Sequence, residues 1–432
     1  MTIRRTPDDF RVEELNTAAF LASIAPERTP SHPFVAYRLV KRGIATPDAI
    51  GFIARALRVG REHVAAAGLK DRHAVTSQIV TVDGAALRGA PPRELGERLG
   101  AGDPHADDGG SSWRIEGVGF VPRAADSTII ERNRFRIVVR GLDKWHADEM
   151  ARRASMLVDR AGAPLLVVNY FGDQRFGSAR HGQGFVARAL IRGDFEHALR
   201  LAIGTPARKD SGAVRTMSRA LAAHWGDWPT ALAKIPRMPE RGAIEVLARG
   251  GSFKDAFTAL PRFTQEICVE AYQSHLWNAI VRELAHALAE TTSQRAFEAD
   301  DLFGTLVFPR AAALTPAFRA LPIPMPSPRA RMPECLSEIV AGVLADEGTE
   351  EGSKEGPGGA PLALGDLRIP GVERPYFGGG DRPFVIEARN FELTAPERDS
   401  FAGNSPANLA ITTSFDLPRG SYATVVLRAL GQ

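Results

Sequence analysis

The stretch AAAGLKDRHAVTSQ, residues 65–78, ends a run of alanines at Gly68 and then places four ionisable side chains side by side, KDRH at 70–73. The residues that follow alternate as a half-buried strand does. Nearby cations favour the charged form of a carboxylate, and an ionised carboxylate can serve as a nucleophile or a base. A glycine and an aspartate before a strand are also ordinary turn chemistry. This stretch alone therefore leaves Asp71 open to a catalytic or a structural interpretation.

The composition is that of a mildly basic globular protein. The chain has 432 residues, which is enough for two or three domains, and 44% of them are apolar, which is enough for real cores. The formal net charge is +3 and the isoelectric point is about 9.0. This balance permits a nucleic-acid partner without requiring one. Arginines do cluster at the N-terminus and along residues 132–140.

Several classes of function lack their usual motifs. The two cysteines, Cys268 and Cys335, are isolated, so neither a zinc site nor a disulfide scaffold is expected, and a reducing cytoplasm fits best. The chain has no signal peptide and no apolar run of about 18 residues, so no membrane association is expected. The glycine-rich loops of nucleotide triphosphatases, dinucleotide-binding enzymes and α/β-hydrolases are also absent.

Alternating and helical patterns predict the elements of the N-terminal part. We expect strands at 33–43, 74–84 and 127–142, the last with apolar and arginine-rich faces. The segment 46–60 is predicted to be a helix that Thr46 caps and Gly60 ends. A second helix is predicted at about 144–162.

The rest of the chain is predicted to be helical in its middle. Residues 183–345 follow helical patterns, whereas 383–432 return to strands. Polar, glycine-rich segments predict exposed loops at 101–112 and 345–360. A helix-rich segment flanked by β-rich segments predicts an α+β protein with an inserted helical domain.

Two aromatic segments each allow two interpretations. Asn133 and Phe135 are two residues apart on a predicted strand and share a face. They could form a base-stacking platform or belong to the core, and taken alone the core is the stronger interpretation. NYFGDQRFG (169–177) could be an RNA-facing surface or a packed loop.

Six segments, in this order, resemble the motifs of the TruD family of pseudouridine synthases. They are DFRVEE (9–14), AGLKDRHAVTSQ (67–78), NRFRIVVR (133–140), NYFGDQRFG (169–177), AYQSHLWN (271–278) and GSYATVVLRAL (420–430). The second matches every fixed position of the family's catalytic motif G-x-K-D-x-x-A-x-T-x-Q. Six ordered matches along most of the chain are far more specific than any one of them.

The resemblance implies a fold and a reaction. The fold would be a pseudouridine-synthase catalytic domain, with a mixed or antiparallel sheet and flanking helices, formed by 1–169 and 384–432. A helix-rich TRUD domain would be inserted at 170–383. The enzyme would cleave the N-glycosidic bond of a uridine in tRNA, turn the base and rejoin it through carbon 5, without a metal or cofactor. The implied target is uridine 13 in the D arm.

The resemblance also implies roles for individual residues. Asp71 matches the catalytic aspartate, which either attacks the ribose or abstracts the C2′ proton. Asn133 would orient it, and Phe135 would stack beside the target base or fill its place. Arg4 stands where the family usually has a lysine that pairs with the aspartate; Arg is a planar fork and not a point charge, so its geometry can differ.

Further motif positions are expected to contact the substrate. They are Lys70, Arg72, Thr76, Gln78, Tyr170, Phe171, Gln174, Arg175 and Arg428. Lys70 and Arg72 would either keep Asp71 ionised or face phosphates, because adjacent side chains on an extended segment alternate in direction. Ala429 replaces a usual glutamate, for which a lost local ion pair or hydrogen bond is expected and not lost catalysis.

Other functions remain as alternatives. A non-catalytic RNA-binding or tRNA-folding protein could keep this fold, but its catalytic motif would have decayed. A pseudouridine synthase of broader RNA range is a second alternative. A methyltransferase would need a glycine-rich cofactor loop that the sequence lacks. A monomeric, cytoplasmic enzyme that needs no protein partner is expected.

Overall fold

The computed structural model describes the chain in several stretches, which are residues 1–99, 110–179, 181–207, 210, 212–293, 295–349, 361–403, 405 and 407–432. Most of the loop predicted at 101–112 and of the linker predicted at 345–360 lies outside the described residues. The chain divides into two compact units. Unit 1 consists of Met1–Val167 and Ile386–Gln432, and unit 2 of Val168–Val385.

In the described residues the strands are β1 (Phe10–Asn16), β2 (Phe34–Arg42), β3 (Val64–Ala66), β4 (Val75–Asp83), β5 (Glu94–Leu99), β6 (Ser111–Val121), β7 (Ile130–Leu142), β8 (Leu165–Val168), β9 (Phe297–Asp301), β10 (Gly304–Phe308), β11 (Pro322–Pro324), β12 (Asp381–Pro383), β13 (Val385–Leu393), β14 (Glu397–Arg398) and β15 (Leu409–Pro418). The α-helices are α1 (Ala18–Ala22), α2 (Thr46–Leu57), α3 (Lys144–Met156), α4 (Val186–Ile191), α5 (Phe195–Leu199), α6 (Gly212–Ala223), α7 (Trp228–Lys234), α8 (Arg241–Ala248), α9 (Phe253–Thr258), α10 (Arg262–Thr291), α11 (Pro316–Arg319), α12 (Ser337–Thr349) and α13 (Ala423–Ala429).

Unit 1 is built on a mixed sheet of eleven described strands. Nine follow the order β5-β6-β2-β4-β1-β7-β15-β13-β8, while β3 pairs with β4 and β14 with β15. β1 runs parallel to β4, whereas β1–β7, β7–β15 and β2–β4 are antiparallel pairs. The predicted α+β class with a mixed sheet is therefore confirmed.

β7 is the central strand whose alternation the sequence predicted. Phe135, Ile137 and Val139 are buried on one face, while Arg134 and Arg136 are on the other, more exposed face. This is the period of two that a sheet imposes on its side chains. The strands predicted at 33–43 and 74–84 are also confirmed, as β2 and β4.

α2 packs against the sheet beside the loop that carries Asp71. Ile53 of α2 is fully buried against Tyr37 and Leu39 of β2 and Val80 of β4. Burial of one such aliphatic side chain contributes roughly 1.5–3 kcal/mol. This core therefore fixes the start of β4, where the loop that carries Asp71 ends, and the end of β2 that pairs with it.

Three sequence predictions about helices were wrong in detail. The N-cap of α2 is Ala45 and not Thr46, and its C-cap is Arg58, which is left-handed with φ 57°, so the helix ends before Gly60. The helix predicted at 144–162 is shorter. The last motif was assigned to strands, but α13 is helical; its Val and Leu side chains are buried, and tertiary packing overrides β propensity there.

Unit 2 is mostly helical, as predicted. Its longest described element is α10, a helix of 30 residues on which Tyr272, Trp277 and Ile280 are fully buried. Two small β pairs, β9–β10 and β11–β12, interrupt the helices and were not predicted.

Candidate active site

The carboxylate of Asp71 lies on the loop between β3 and β4 and is held at both oxygens. Arg4 Nη2 is 2.7 Å from Oδ2, and the backbone N–H of His73 donates to Oδ1 at 3.0 Å. The second contact is an Asx turn, which fixes the rotamer of an aspartate at the start of a turn. The side chain keeps 17% of its surface exposed, so the carboxylate is fixed and still accessible.

A buried lysine holds the backbone of this loop from beneath. Lys41, at the end of β2, is fully buried, and its Nζ donates to the carbonyls of Ile44 (2.7 Å), Asp71 (2.9 Å) and, more weakly, Lys70 (3.4 Å). An ammonium has three protons to donate. Each of them therefore has an acceptor, and two of the acceptors belong to the loop.

Two buried polar side chains fix other backbone groups of the loop. The Thr46 hydroxyl accepts from the N–H of Lys70 at 2.9 Å and contacts Gln78 Oε1 at 3.3 Å. Gln78 Nε2 donates to the carbonyl of Gly68 at 2.9 Å. The hydroxyl that the sequence assigned to helix capping is thus used to position the loop.

The cations beside Asp71 are not its sequence neighbours. Lys70 Nζ forms an ion pair with Glu14 of β1 at 2.9 Å, and both side chains are almost completely buried. Arg72 is exposed. The cations at Asp71 are Arg4 and Lys41, so the prediction that Lys70 faces either Asp71 or the RNA was wrong.

Burial controls the protonation of Lys41. Desolvation lowers its pKa from 10.5 to about 8, since a buried ammonium loses its water, while the carboxylate of Asp71 acts in the opposite direction. The nearby charge of Lys70 lowers the pKa further. The lysine is therefore mainly protonated at neutral pH and loses its proton at mildly alkaline pH.

A row of aromatic rings leads from β7 and β15 to Arg4. Phe135 lies between Phe415, at 5.7 Å between centroids, and Phe10, at 6.1 Å with the rings nearly perpendicular. The guanidinium of Arg4 lies 4.6 Å from the Phe10 centroid. A guanidinium over a ring gains a cation–π attraction. This row therefore fixes the arginine that contacts Asp71.

Phe135 itself is 8% exposed, so the structure has a packed ring there and not an open platform. Asn133 lies on the same face of β7, and its Oδ1 is buried without a hydrogen-bond partner among the described residues. Buried polar atoms are normally satisfied, so an unpaired one calls for a reason. Its predicted role in orienting Asp71 stays a prediction.

Comparisons with known proteins identify the family of the chain. The family model described as tRNA pseudouridine synthase D (TruD) matches residues 1–303. The chain belongs to the TruD family of tRNA pseudouridine synthases. The predicted family and its enzyme class, an isomerase, are thereby confirmed.

Individual TruD relatives match over nearly the whole chain. tRNA pseudouridine synthase D of Aquifex aeolicus is 27% identical over 437 residues, covering 99% of this chain and 97% of the relative. The probable tRNA pseudouridine synthase D of Halobacterium salinarum is 31% identical over 441 residues, covering 99% and 92%. The crystal structure of a putative TruD protein from Methanosarcina mazei has a TM-score of 0.63 at 21% identity and covers 99% of this chain and 92% of its own, so it shows the same fold.

Two further positions of the TruD catalytic motif are buried and not directed at substrate. Gln78 is 1% exposed and supports Gly68, as described above. Thr76 is also 1% exposed, and its hydroxyl has no hydrogen-bond partner in the part of the chain that the structure describes. Their predicted contact with substrate is therefore wrong for this structure, since both face the core under the loop.

The aromatic residues of NYFGDQRFG are core residues of unit 2. Tyr170 is fully buried, its hydroxyl donates to the Val307 carbonyl at 3.0 Å, and burial raises the pKa of its phenol. Phe171 is 7% exposed and packs edge-on against Trp277 at 5.5 Å. The packed-loop interpretation is confirmed for both, and their assignment to the substrate was wrong.

The polar residues of the same motif differ from each other. Arg175 is half-buried and paired with Glu270 at 2.8 Å and with Ser274 at 3.1 Å. Gln174 is exposed. On α13, Arg428 is half-buried and Ala429 fully buried. The substrate roles of Gln174, Arg175 and Arg428 stay predictions.

Sequence reasoning missed Lys41 and Glu14, although a signal for both exists. Lys41 continues the buried face of β2 after Tyr37 and Leu39, and Glu14 continues that of β1 after Val12. A charged residue in phase with an apolar alternation marks a buried charge, which needs a partner. Both partners lie on the Asp71 loop.

The described residues give no sign of a metal or a membrane span. They contain no group of three or more His, Cys, Asp and Glu side chains able to hold a metal ion. Among these residues, no helix combines the length and apolar character needed to cross a membrane.

Proposed function

We propose that Asp71 is the catalytic carboxylate of an enzyme that isomerises uridine to pseudouridine in tRNA, at uridine 13 of the D arm. The observation that carries this proposal is the support of one accessible carboxylate. Arg4 and the His73 amide hold its two oxygens, and Lys41, Thr46 and Gln78 hold its loop. A reactive group must be held by its surroundings to act, and a purely structural aspartate would not need its loop to be fixed at three positions within four residues.

The reaction rearranges bonds within one nucleotide. Asp71 either attacks C1′ of the ribose or removes the proton from C2′, and in both cases the bond from C1′ to N1 of uracil breaks. The freed base turns and C5 bonds to C1′; the bond from Asp71 to C1′ breaks at this point in the first route, and C2′ regains its proton in the second. The C5 proton is lost while N1 gains one. No atom is added or removed overall, so the chain must supply only position and charge. Arg4 would hold the carboxylate in place through the ion pair at 2.7 Å.

Neighbouring residues have roles that fit this reaction. Arg72 and Leu69 are exposed beside Asp71, Leu69 by 77%, and we assign Arg72 to a backbone phosphate. The buried Oδ1 of Asn133 would accept an N–H of the extruded uracil, which would satisfy a buried acceptor. tRNA is therefore the proposed partner, and unit 1 the proposed catalytic domain.

The proposal is tested by mapping pseudouridine after incubation of purified protein with tRNA. Carbodiimide labels pseudouridine and stops primer extension, which gives the position. We expect one new stop that reports pseudouridine at position 13 in a tRNA with uridine there, and none in a transcript that carries cytidine instead. Salt-sensitive binding without any new pseudouridine in tRNA or other RNA would refute catalysis and favour the RNA-binding alternative. New pseudouridine at several unrelated sites would mean that the enzyme acts on a broader range of RNA sites than uridine 13.

A further inference from the structure

Unit 2 contains a pocket that has no part in the proposed chemistry of Asp71. Its volume is about 880 Å³, and its two walls come from the segments 324–331 and 367–381. The lining includes the buried apolar residues Leu367, Ile369 and Phe377. Pockets for small organic groups measure about 300–1,000 Å³ and are mostly apolar with a few polar groups. The volume and the lining therefore suit a small organic group.

The pocket is fixed by the helix α10. The side chain of Gln273, which is buried, donates from Nε2 to the carbonyl of Pro326 in one wall, at 2.9 Å, and to that of Gly378 in the other, at 2.6 Å. One amide group therefore joins both walls. Gln273 belongs to the motif AYQSHLWN (271–278), which the catalytic loop does not explain. A joined pair of walls means that the pocket is formed before a ligand arrives.

The rim of the pocket is cationic and aromatic. Arg329 and Arg331 stand on one wall and Arg368 on the other, and all three are exposed. Within the described part of the chain, none of these guanidiniums has a hydrogen bond or ion pair. Asp381 is the one acidic residue among the described residues of the lining, and Tyr376 is 63% exposed. The three arginines and the open ring together fit a base flanked by phosphates.

We propose that this pocket binds an unstacked nucleotide of the tRNA substrate, distinct from the target uridine, with the base on Tyr376 and the neighbouring phosphates on Arg329, Arg331 and Arg368. The identity of the RNA rests on the proposed function. Aromatic side chains stack on any base, and arginines bind phosphates through charge-assisted hydrogen bonds. Arginines on opposite walls reach phosphates on both sides of one nucleotide, whereas a free nucleotide carries its phosphates on one side only.

The test is tRNA binding by the full chain in an Asp71→Asn background, which separates it from turnover. We expect Tyr376→Ala to weaken binding roughly 5- to 150-fold, the range for the removal of one base stack, and Tyr376→Phe to keep most of it. Arg329→Gln combined with Arg331→Gln should reduce the slope of log affinity against log salt by about 0.7–0.9 for each phosphate that is no longer bound. Phe263→Ala, which removes a similarly exposed ring of α10, and Arg249→Gln, at the exposed end of α8, are the controls and should bind as the parent does.

The outcomes separate this proposal from the catalytic one. Binding of the Tyr376 and arginine variants equal to that of the controls would overturn the pocket proposal, even if pseudouridine forms. Weakened binding by these variants would support it, even if no pseudouridine forms. Competition by uridine monophosphate, with tRNA affinity unaffected by Tyr376→Ala, would mean that the pocket takes a free nucleotide and would also overturn it. A thermal unfolding curve for each variant excludes misfolding, and the Arg329→Gln, Arg331→Gln double variant carries the test if the alanine variant fails to fold.

Discussion

Replacing Lys41 by methionine should lower turnover, while offsetting energy terms limit the loss of stability. Methionine keeps the apolar stem and removes the ammonium that holds the Asp71 loop. The carbonyls of Ile44 and Asp71 then lose their donors, at 2.7 and 2.9 Å, which costs about 1–3 kcal/mol each. The lowered pKa, from 10.5 to about 8, indicates that burying the charge costs roughly 3 kcal/mol, because one unit corresponds to about 1.4 kcal/mol. These terms largely offset each other, so the free energy of unfolding should fall by no more than about 3 kcal/mol.

The relief from burying a charge offsets the loss of stability but does not offset the loss of turnover. The Asp71 carbonyl loses a hydrogen bond to a charged donor, worth about 1.5–3 kcal/mol, and the loop becomes free to move. If that energy now has to be supplied when the carboxylate reaches the ribose, the rate falls roughly 10- to 150-fold. The assay is single-turnover release of tritium from tRNA labelled at C5 of uridine, because pseudouridine formation expels that hydrogen.

The same substitution at an exposed lysine, far from the Asp71 loop in sequence, serves as the control. Lys144→Met removes an ammonium whose side chain is 83% exposed in a surface pair with Asp148, and both its rate and its melting temperature should be those of the wild type. A Lys41→Met rate within about threefold of the wild type would refute the claim that the ammonium positions the loop. A collapse of the melting temperature together with the rate would mean that Lys41 supports the whole of unit 1.

Further predictions concern Lys41, Arg4 and the core of unit 2. Because Lys41 has a pKa of about 8 and a neutral amine donates only two hydrogen bonds, the single-turnover rate should fall as the pH rises through 8, and Lys41→Met should lack this limb in a pH–rate profile. Between about pH 8 and 10.5 the unfolded chain binds more protons at Lys41 than the folded chain does. The free energy of unfolding contributed by Lys41 should therefore rise with pH in this range, while activity falls. Urea unfolding at a series of pH values should show this rise in the wild type and not in Lys41→Met. Arg4→Lys keeps the charge at Asp71 and should retain the single-turnover rate within about tenfold, whereas Arg4→Gln should lose more; equal rates for both variants would show that the charge is not what matters. Tyr170→Phe removes the hydroxyl that donates to the Val307 carbonyl. The free energy of unfolding in urea should fall by about 1–3 kcal/mol, and tRNA affinity should not change. Weaker tRNA binding at unchanged stability would show that Tyr170 contacts the RNA.

The strands of the sheet were predictable where one face is buried and the other is exposed to solvent. β7 is such a strand, and its alternation identified both the buried face with Phe135 and the arginine face. Helix α2 was also predictable, but its capping was not. Thr46 matches the composition of an N-cap, yet its hydroxyl binds the Asp71 loop, 24 residues away in sequence. Capping rules consider only local partners, so they fail when a distant segment competes for the same side chain.

The position of Asp71 followed from its motif, but its surroundings did not. Sequence adjacency suggested Lys70 and Arg72 as its cations, whereas the pairing of strands brings Arg4 and Lys41 to it and gives Lys70 to Glu14. Such contacts join segments far apart in the sequence, as for Arg4 and Asp71, and depend on strand order, which the residues alone do not specify.

Motif membership also proved a poor guide to exposure. Tyr170 and Phe171 belong to a family motif and lie in the core of unit 2. A motif can be kept for packing as readily as for binding, and only burial distinguishes the two. Gln273, in another motif, joins two segments of unit 2. No sequence pattern indicates this role, because its two carbonyl partners are 53 and 105 positions away.

The central claim is that the carboxylate of Asp71 carries out the chemistry and does not hold the fold. The most direct measurement compares wild type with Asp71→Asn, an isosteric change that keeps the Asx turn, for pseudouridine at position 13 and for tRNA affinity in the same preparation. The account predicts that the variant makes no detectable pseudouridine, binds tRNA within a few-fold of the wild type and melts within a few degrees of it. Pseudouridine made by Asp71→Asn at a rate close to that of the wild type would contradict the account.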